Sequence, residues 1–557
     1  MPGRVSLARV ILRAALLIAL LWLPGKSLFA VNCSVVNHSA PSLADMALLG
    51  AEYEQAAILY RGGLRSHPGD AELTKGLVHA LLHEQKIQDA ADAVKASLAV
   101  APNSAALITL RGEVELRQGT PWIAERTADE AASLDPCNPR AHLLRADLAH
   151  IDSLYATSRK ELEVAHQLDP DDPEIRGEWI HTLSLQERIA ETEAYLAAPR
   201  GDDEVDLLRW RLYLANLKKM AAEPHKACHL ISPAAGTQIP IAVYMADPLH
   251  IAAFGLETKV NGHNARLEID TGTSGLVVSH SMAEHAHLKA FSKTKMTGVG
   301  DQGSQSGYTA YADSIRIGNL EFQDCMVNVL ESKSALEQVD GLIGMDMFSH
   351  FLVTLDYPMR KLLLDPLPPQ PAEDSVAAPS RKTSDEDRDE SGESTPAQNG
   401  AVQKSDAHAP YDRYIAPEMK SYTPVYRVGS LLMLPATLNG KIVRLFAMDT
   451  GAMATTISPE AASEVTKVRS SFGFNIKGIN GKVQDVYAAD EITFTFAHIS
   501  QKVQSVVSIY TAQLSKIAGM ELSGFLGVNT LDKMTIHIDY RDGLVKFDYD
   551  PNRGYRY

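Results

Sequence analysis

Two stretches of the chain repeat one arrangement of residue types. LEIDTGTSGLVVS, residues 267–279, and VRLFAMDTGAMATTIS, residues 443–458, are each an apolar run that reaches an aspartate and turns at once on Thr-Gly. Asp270 alone would be a turn residue; a matched Asp449 makes a pair. Two carboxylates held about 3 Å apart cannot both ionise easily, so they share one proton. One is then a base toward water and the other a hydrogen-bond donor, which is general acid–base chemistry without a metal or a covalent nucleophile. The triplet by itself is weak, since residue frequencies of about 5–7% allow on the order of 0.1 chance occurrences in a chain this long.

The surroundings strengthen it. Asn261-Gly262 lies nine residues before Asp270, and Asn439-Gly440 ten before Asp449. Asn-Gly between apolar segments predicts a tight hairpin, so each acid ends the second strand of one. Downstream, Asp340-Gly-Leu-Ile-Gly344 matches Ser523-Gly-Phe-Leu-Gly527, and twelve residues after each closing glycine comes Asp-Tyr, at Asp356-Tyr357 and Asp539-Tyr540. Phe348 aligns with Leu531, Val353 with Ile536 and Leu355 with Ile538. From acid to closing glycine is 74 residues in one copy and 78 in the other. One β unit is duplicated.

These residues resemble the retropepsin-like aspartic proteases and, more distantly, the two-lobed pepsin-like ones. The resemblance covers residues 238–366 and 420–550, the two expected all-β lobes. It implies that each lobe contributes one aspartate to a shared site, with Asp270 and Asp449 as the catalytic dyad. It makes Thr271 and Thr450 braces between the loops, and the late apolar-apolar-Gly segment the backing of each loop. Gly272 and Gly451, lacking a Cβ, let the two backbones approach closely. By family position, Gly298-Val299-Gly300 and Gly478-Ile479-Asn480 are flap hairpins over the cleft. The resemblance implies peptide-bond hydrolysis with no metal and no cofactor, and a bell-shaped dependence on pH on the acid side.

Other motifs have plainer readings. Residues 298–303 spell G-x-G-x-x-G, but the following YTAYADSIRIG reads as a strand, whereas a dinucleotide site needs a helix there. His280, Glu284, His285 and His287 fit an exposed helix face better than a metal site. Asp356 and Asp539 read as strand-end acids. The two loops also differ: the first continues Thr-Ser, the second Ala-Met. Ser274 resembles the pepsin form and Ala452 the retroviral form.

The rest of the chain must position or serve these loops. Pro68, Pro102, Pro136 and Pro170 recur every 34 residues, with Gly63, Ser97, Ala131 and Ala165 five before and Ala56, Ala90, Ala124 and Ser158 twelve before. Small residues let paired helices approach, and each proline stops the second helix of a pair. This period resembles the tetratricopeptide repeat, so residues 42–220 are expected to form an all-α solenoid of four or five helical hairpins, a place for a protein partner. Residues 371–410 contain no Leu, Ile, Met, Phe, Tyr or Trp, so 367–415 is expected to be a disordered linker. About 45 flexible residues reach roughly 35–40 Å. That is enough to pair the lobes within one chain, at roughly millimolar effective concentration.

Residues 1–30 carry Arg4, Arg9 and Arg13, the apolar run AALLIALLWL and an exit at Ala30, which is the pattern of a secretory signal. The protein is therefore expected outside the cytoplasm, periplasmic or secreted, or anchored if the segment stays uncleaved. Four cysteines, Cys33, Cys137, Cys228 and Cys325, allow three pairings. A net charge of −16 and a pI near 5.6 exclude a general nucleic-acid binder. Two classes of function follow: an aspartic endopeptidase with a recruiting solenoid, or a non-catalytic adaptor built from the same parts. Intact acids in both copies favour the first.

Overall fold

The computed structural model describes residues 33–38, 40–197, 204–224, 227–232, 236–332, 336, 338–370, 412–470 and 476–550. The signal-like segment 1–30 and residues 371–411 of the linker lie outside these.

The 34-residue period becomes five helical hairpins and a closing helix. The pairs are Leu43–Leu49 with Tyr53–Ser66, Ala71–His83 with Ile87–Val100, Ala105–Arg117 with Pro121–Leu134, Pro139–Ile151 with Tyr155–Leu168, and Pro173–Thr182 with Leu185–Ala197; Glu204–Ala222 closes the stack. Each periodic proline follows a helix that ended two residues earlier. Two residues beyond each proline stands a second periodic feature, the N-cap of the next helix: Asp70, Ser104, Asn138 and Asp172. Their side chains accept from the first-turn amides of Leu73, Leu107, Ala141 and Ile175. So the turn is specified twice, by a proline that cannot continue one helix and by a cap that satisfies orphan donors of the next. Ala56, Ala90, Ala124, Ala131 and Ala165 are fully buried where the helices meet. The inner helices line a groove of roughly 2310 Å³ that does not include either aspartate.

The two β copies form a lobe each. In the first, strands His250–Val260 and His263–Ile269 join through Asn261-Gly262, both at positive φ. In the second, Leu431–Leu438 and Ile442–Met448 join through Asn439, Gly440 and Lys441. That extra turn residue accounts for the ten-residue spacing in place of nine. Each turn asparagine also staples its hairpin to two other segments. Asn261 donates to Ala286 O and accepts from Ser314 N; Asn439 donates to Val465 O and accepts from Thr493 N.

Between the lobes runs a six-stranded antiparallel sheet built from both: Thr423–Pro424, Leu544–Tyr549, Met534–Asp539, Phe351–Asp356, Lys361–Pro366 and Thr237–Pro240. At its centre Thr354 pairs with His537, its own counterpart in the other copy, so the two-fold relation of the duplication passes through this pair. Asp356 and Asp539 end their strands and accept from turn amides, at Met359 in the first and at Arg541 and Asp542 in the second.

The solenoid is docked, not tethered. Ala124, Ala128, Leu144, Leu148 and Ile151 share one apolar cluster with Met433, Leu445, Ala447, Leu522 and Phe525 of the second lobe. Asp412 accepts from the amides of Ala156 and Thr157 at the start of helix Tyr155–Leu168, and Arg413 pairs with Asp152 at 2.9 Å. Two disulfides, Cys33–Cys137 and Cys228–Cys325, settle the pairing the sequence left open. Bonds of this kind persist in oxidising compartments. Among the described residues no helix is long and apolar enough to cross a membrane.

The repeat caps can be tested singly. Asn138 caps with two backbone acceptances and also donates to Thr109 Oγ1 at 3.2 Å. Asn138→Ala should destabilise the solenoid by about 1–2 kcal/mol. The described tryptophans, Trp122, Trp179 and Trp210, all lie in the solenoid, so urea denaturation followed by tryptophan fluorescence reads this transition.

Candidate active site

Each Asp-Thr-Gly loop is carried by three short strands. In the first lobe Gly341–Ile343 lies between His263–Ile269, parallel to it, and Leu276–Ser279, antiparallel to it. In the second, Gly524–Leu526 is inserted the same way between Ile442–Met448 and Thr456–Ile457. The inserted strand must begin with glycine, since a Cβ would fall 2.2 Å from Val277 O at Gly341 and 2.1 Å from Thr456 O at Gly524. Its far end receives the aspartate's own amide: Asp270 N donates to Ile343 O, and Asp449 N to Leu526 O. That is the physical role of the downstream apolar motif.

The loops meet at the lobe interface through the threonines. Thr271 N donates to Thr450 Oγ1 at 3.0 Å, and Thr450 N to Thr271 Oγ1 at 3.1 Å. Each hydroxyl then donates across the interface, Thr271 to Met448 O at 2.7 Å and Thr450 to Ile269 O at 2.9 Å. All four bonds are buried, so none is exchanged cheaply for water.

This lattice brings the acids together. Asp270 is buried, Asp449 is partly buried, and the two carboxyls share a side-chain hydrogen bond. Each faces the other loop's glycine: a Cβ on Gly451 would lie 2.7 Å from Asp270 Cγ, and one on Gly272 3.4 Å from Asp449 Cγ. Burial, then the charge of Asp270, pushes the Asp449 carboxyl up to about 8. Burial also raises Asp270, but donors hold its anionic form: Gly272 N at 2.7 Å and the Thr273 hydroxyl at 2.6 Å. Asp449 has the matching Gly451 N at 2.9 Å, but Ala452 occupies the position of Thr273 in the second loop and offers only its amide, at 3.1 Å. The pair is thus asymmetric: the Thr273 hydroxyl favours the charge on Asp270, and Asp449 has no such donor.

Both expected flaps lie together. Asn480 N donates to Val299 O and Gln302 N to Asn480 O, each at 2.9 Å; Gly298 N donates to Asn480 Oδ1 at 3.2 Å. A Cβ on Gly300 would lie 2.4 Å from the Asn480 carbonyl carbon, and one on Gly478 2.5 Å from Val299 O, so the backbones cross in near contact. Ile479 packs on Val277, Leu330 and Leu342 of the first lobe, while Val299 packs with Val483, Val486, Val507 and Ile509 of the second. Each of the two turns therefore packs on the other lobe's apolar patch. The buried Nδ2 of Asn480 has no partner among the described residues. The G-x-G-x-x-G is the turn of a hairpin between strands Ala290–Met296 and Gln305–Ile317, so a strand and not a helix follows it.

Sequence reasoning missed several contributors. Thr273 was visible as the difference from Ala452. Asp346 and Asn529 each stand two residues after a closing glycine; the first accepts from Ser274 Oγ and Gly275 N, the second from Thr455 N. Asp301 caps the opposite flap by accepting from Gln484 N at 2.6 Å. Glu268 was absorbed into an apolar run, yet burial and the charges of Asp270 and Asp449 hold its carboxyl well above the ordinary range. The histidines predicted to lie on a helix face stay away from this site: His285 and His287 pack their rings on His263.

Paired loops with matched acids, threonine cross-bonds and an inserted apolar strand define an aspartic-protease-like module. Residues 256–347, the first loop with its downstream motif, match the family model described as aspartyl protease. Among solved structures the chain is similar to an aspartic proteinase from Irpex lacteus, with 14% identity over 57% of this chain and 98% of that one at a TM-score of 0.33. It is also similar to a thermophilic TPR protein from Thermus thermophilus, with 22% identity over 30% and 90% at a TM-score of 0.25. It is similar as well to a retropepsin-like aspartic protease from Rickettsia conorii, with 18% identity over 24% of this chain and 94% of that one at a TM-score of 0.18. No curated protein sequence matches the chain.

The cross-bonds carry a measurable load. Thr271→Val strips the acceptor from Thr450 N and the donor from Met448 O, at about 1–3 kcal/mol for each buried group left unpaired. Faster hydrogen exchange at the Thr450 amide, with a lowered melting temperature of the lobes, is the expected result.

Proposed function

We propose that the two lobes form an aspartic endopeptidase whose water is activated between Asp270 and Asp449. The observation that carries this reading is the hydrogen-bonded contact of the two carboxyls, one of which accepts from a hydroxyl where the other accepts from an amide. Asp270, ionised, takes a proton from a water as the oxygen attacks the peptide carbonyl carbon. Asp449 donates to the carbonyl oxygen, and a neutral diol forms. The diol collapses as the C–N bond breaks: the proton on Asp270 passes to the leaving nitrogen, and one diol hydroxyl returns its proton to Asp449. The apolar patches under the crossed flaps support a preference for apolar side chains on both sides of the cut bond. The spare Nδ2 of Asn480 supports a donor to a carbonyl of the peptide backbone. In this reading the solenoid groove recruits protein substrates or a partner, and the two disulfides support a location outside the cytoplasm, periplasmic or secreted.

Cleavage of a peptide library by the purified protein across pH 3 to 10 tests the reading. Asp270→Asn and Asp449→Asn should each lose roughly 10²–10⁴-fold in kcat. If wild type and variants are alike with folding intact, the adaptor reading replaces this one. Activity should fall at high pH as Asp449 loses its proton near 8, and at low pH as Asp270 gains one. Thr273→Ala removes a donor that favours the ionised Asp270, so its pKa should rise and the acid limb of the profile should move to higher pH. An unmoved acid limb counts against the assignment of the charge to Asp270.

A further inference from the structure

The closing helix of the solenoid, Glu204–Ala222, bonds to the outer strand of the first flap hairpin. That hairpin consists of Ala290–Met296 and Gln305–Ile317, paired from Ala290 opposite Ala310 to Met296 opposite Gln305, with Gly298–Gly303 at its turn. Lys219 Nζ donates to Phe291 O and sits 4.2 Å from the centre of the Phe291 ring. One turn earlier, Asn216 Oδ1 accepts from Ser292 Oγ at 2.9 Å. The Phe291 ring packs edge-on against Tyr311 of the partner strand, so both arms of the hairpin are engaged.

The helix is held at both ends. Beyond it, Cys228 is bonded to Cys325, and His229–Leu230 pairs with Leu320–Leu330, the strand next to Gln305–Ile317. Before it, the solenoid is fixed to the second lobe through the apolar cluster around Ala124 and Leu144 and through Asp412 and Arg413. The solenoid thus connects the body of one lobe to the flap base of the other.

We propose that the helix Glu204–Ala222 is a strap on the first flap, with Lys219 and Asn216 as positioning residues that hold strand Ala290–Met296 and so limit how far the turn at Gly298–Gly303 lifts from the site. The strap holds the hairpin whatever the chemistry below it, and only its effect on turnover rests on the peptidase reading.

Hydrogen exchange by mass spectrometry on the full chain tests it. The double variant Asn216→Ala, Lys219→Ala should exchange at least about threefold faster over residues 291–304, with residues 351–366 of the interlobe sheet unchanged. Lys218→Ala, whose ammonium pairs with Glu193 inside the solenoid at 2.6 Å, should match wild type over 291–304. In peptide cleavage the double variant should raise KM about 3- to 10-fold with kcat within about twofold, since a loose flap weakens binding more than chemistry. Unchanged exchange over 291–304 overturns the strap, as does an equal rise over 351–366. Faster exchange confined to 291–304 in a protein that cleaves no peptide upholds the strap and removes the peptidase reading. If the double variant unfolds, Ser292→Ala removes one bond from the hairpin side, and a smaller local rise is required of it.

Discussion

Like charges resist the arrangement on which this molecule is built. Two ionised carboxylates 4 Å apart repel by roughly 4 kcal/mol at an effective dielectric of 20. Asp270 and Asp449 are nevertheless held in hydrogen-bond contact, and the surrounding parts answer that constraint. One proton stays on the pair. Glycines let each loop approach the other's carboxyl. Four buried threonine bonds lock the loops. Behind them the six-stranded sheet makes the lobes one body, so the loops cannot drift apart to relieve the repulsion.

Much of this was legible because it repeats. A period of 34 residues and a duplicated triplet with its trailing glycine are patterns that local physics imposes on sequence. The hairpin turns follow from residue types at fixed separations, whereas the backing of each loop and the bracing threonines came only through the resemblance to aspartic proteases. What repetition could not reveal is where unlike parts touch. The docking of Ala124 and Leu144 onto Phe525 uses residues that look like ordinary helix-packing positions. The crossing of Val299 and Ile479 over each other's lobes depends on tertiary geometry alone. Glu268 was hidden for the opposite reason: an acid beside Leu267 and Ile269 is absorbed into an apolar pattern when one scans for strands.

The solenoid changes meaning once its contacts are known. A repeat domain joined only by a linker would be an independent arm. Here Gly119 packs so closely on the second lobe that a Cβ would lie 2.3 Å from Glu521 O, and Glu521 N donates back to Arg117 O. Such contacts make the repeat domain a wall of the same body, so whatever binds its groove acts on a structure continuous with the lobes.

The pairing of Thr354 with His537 places two counterparts of the duplication on a common axis, and the two residues are different. Two identical copies would confer perfect equivalence on the halves of the cleft, and a chain lying across it would be read the same from either end. Joining both copies in one polypeptide removes that obligation. Thr273 has Ala452 as its counterpart, and Val299 has Ile479. Each half is free to diverge alone, so in the proposed peptidase reading a peptide lying between the lobes has one preferred N-to-C direction.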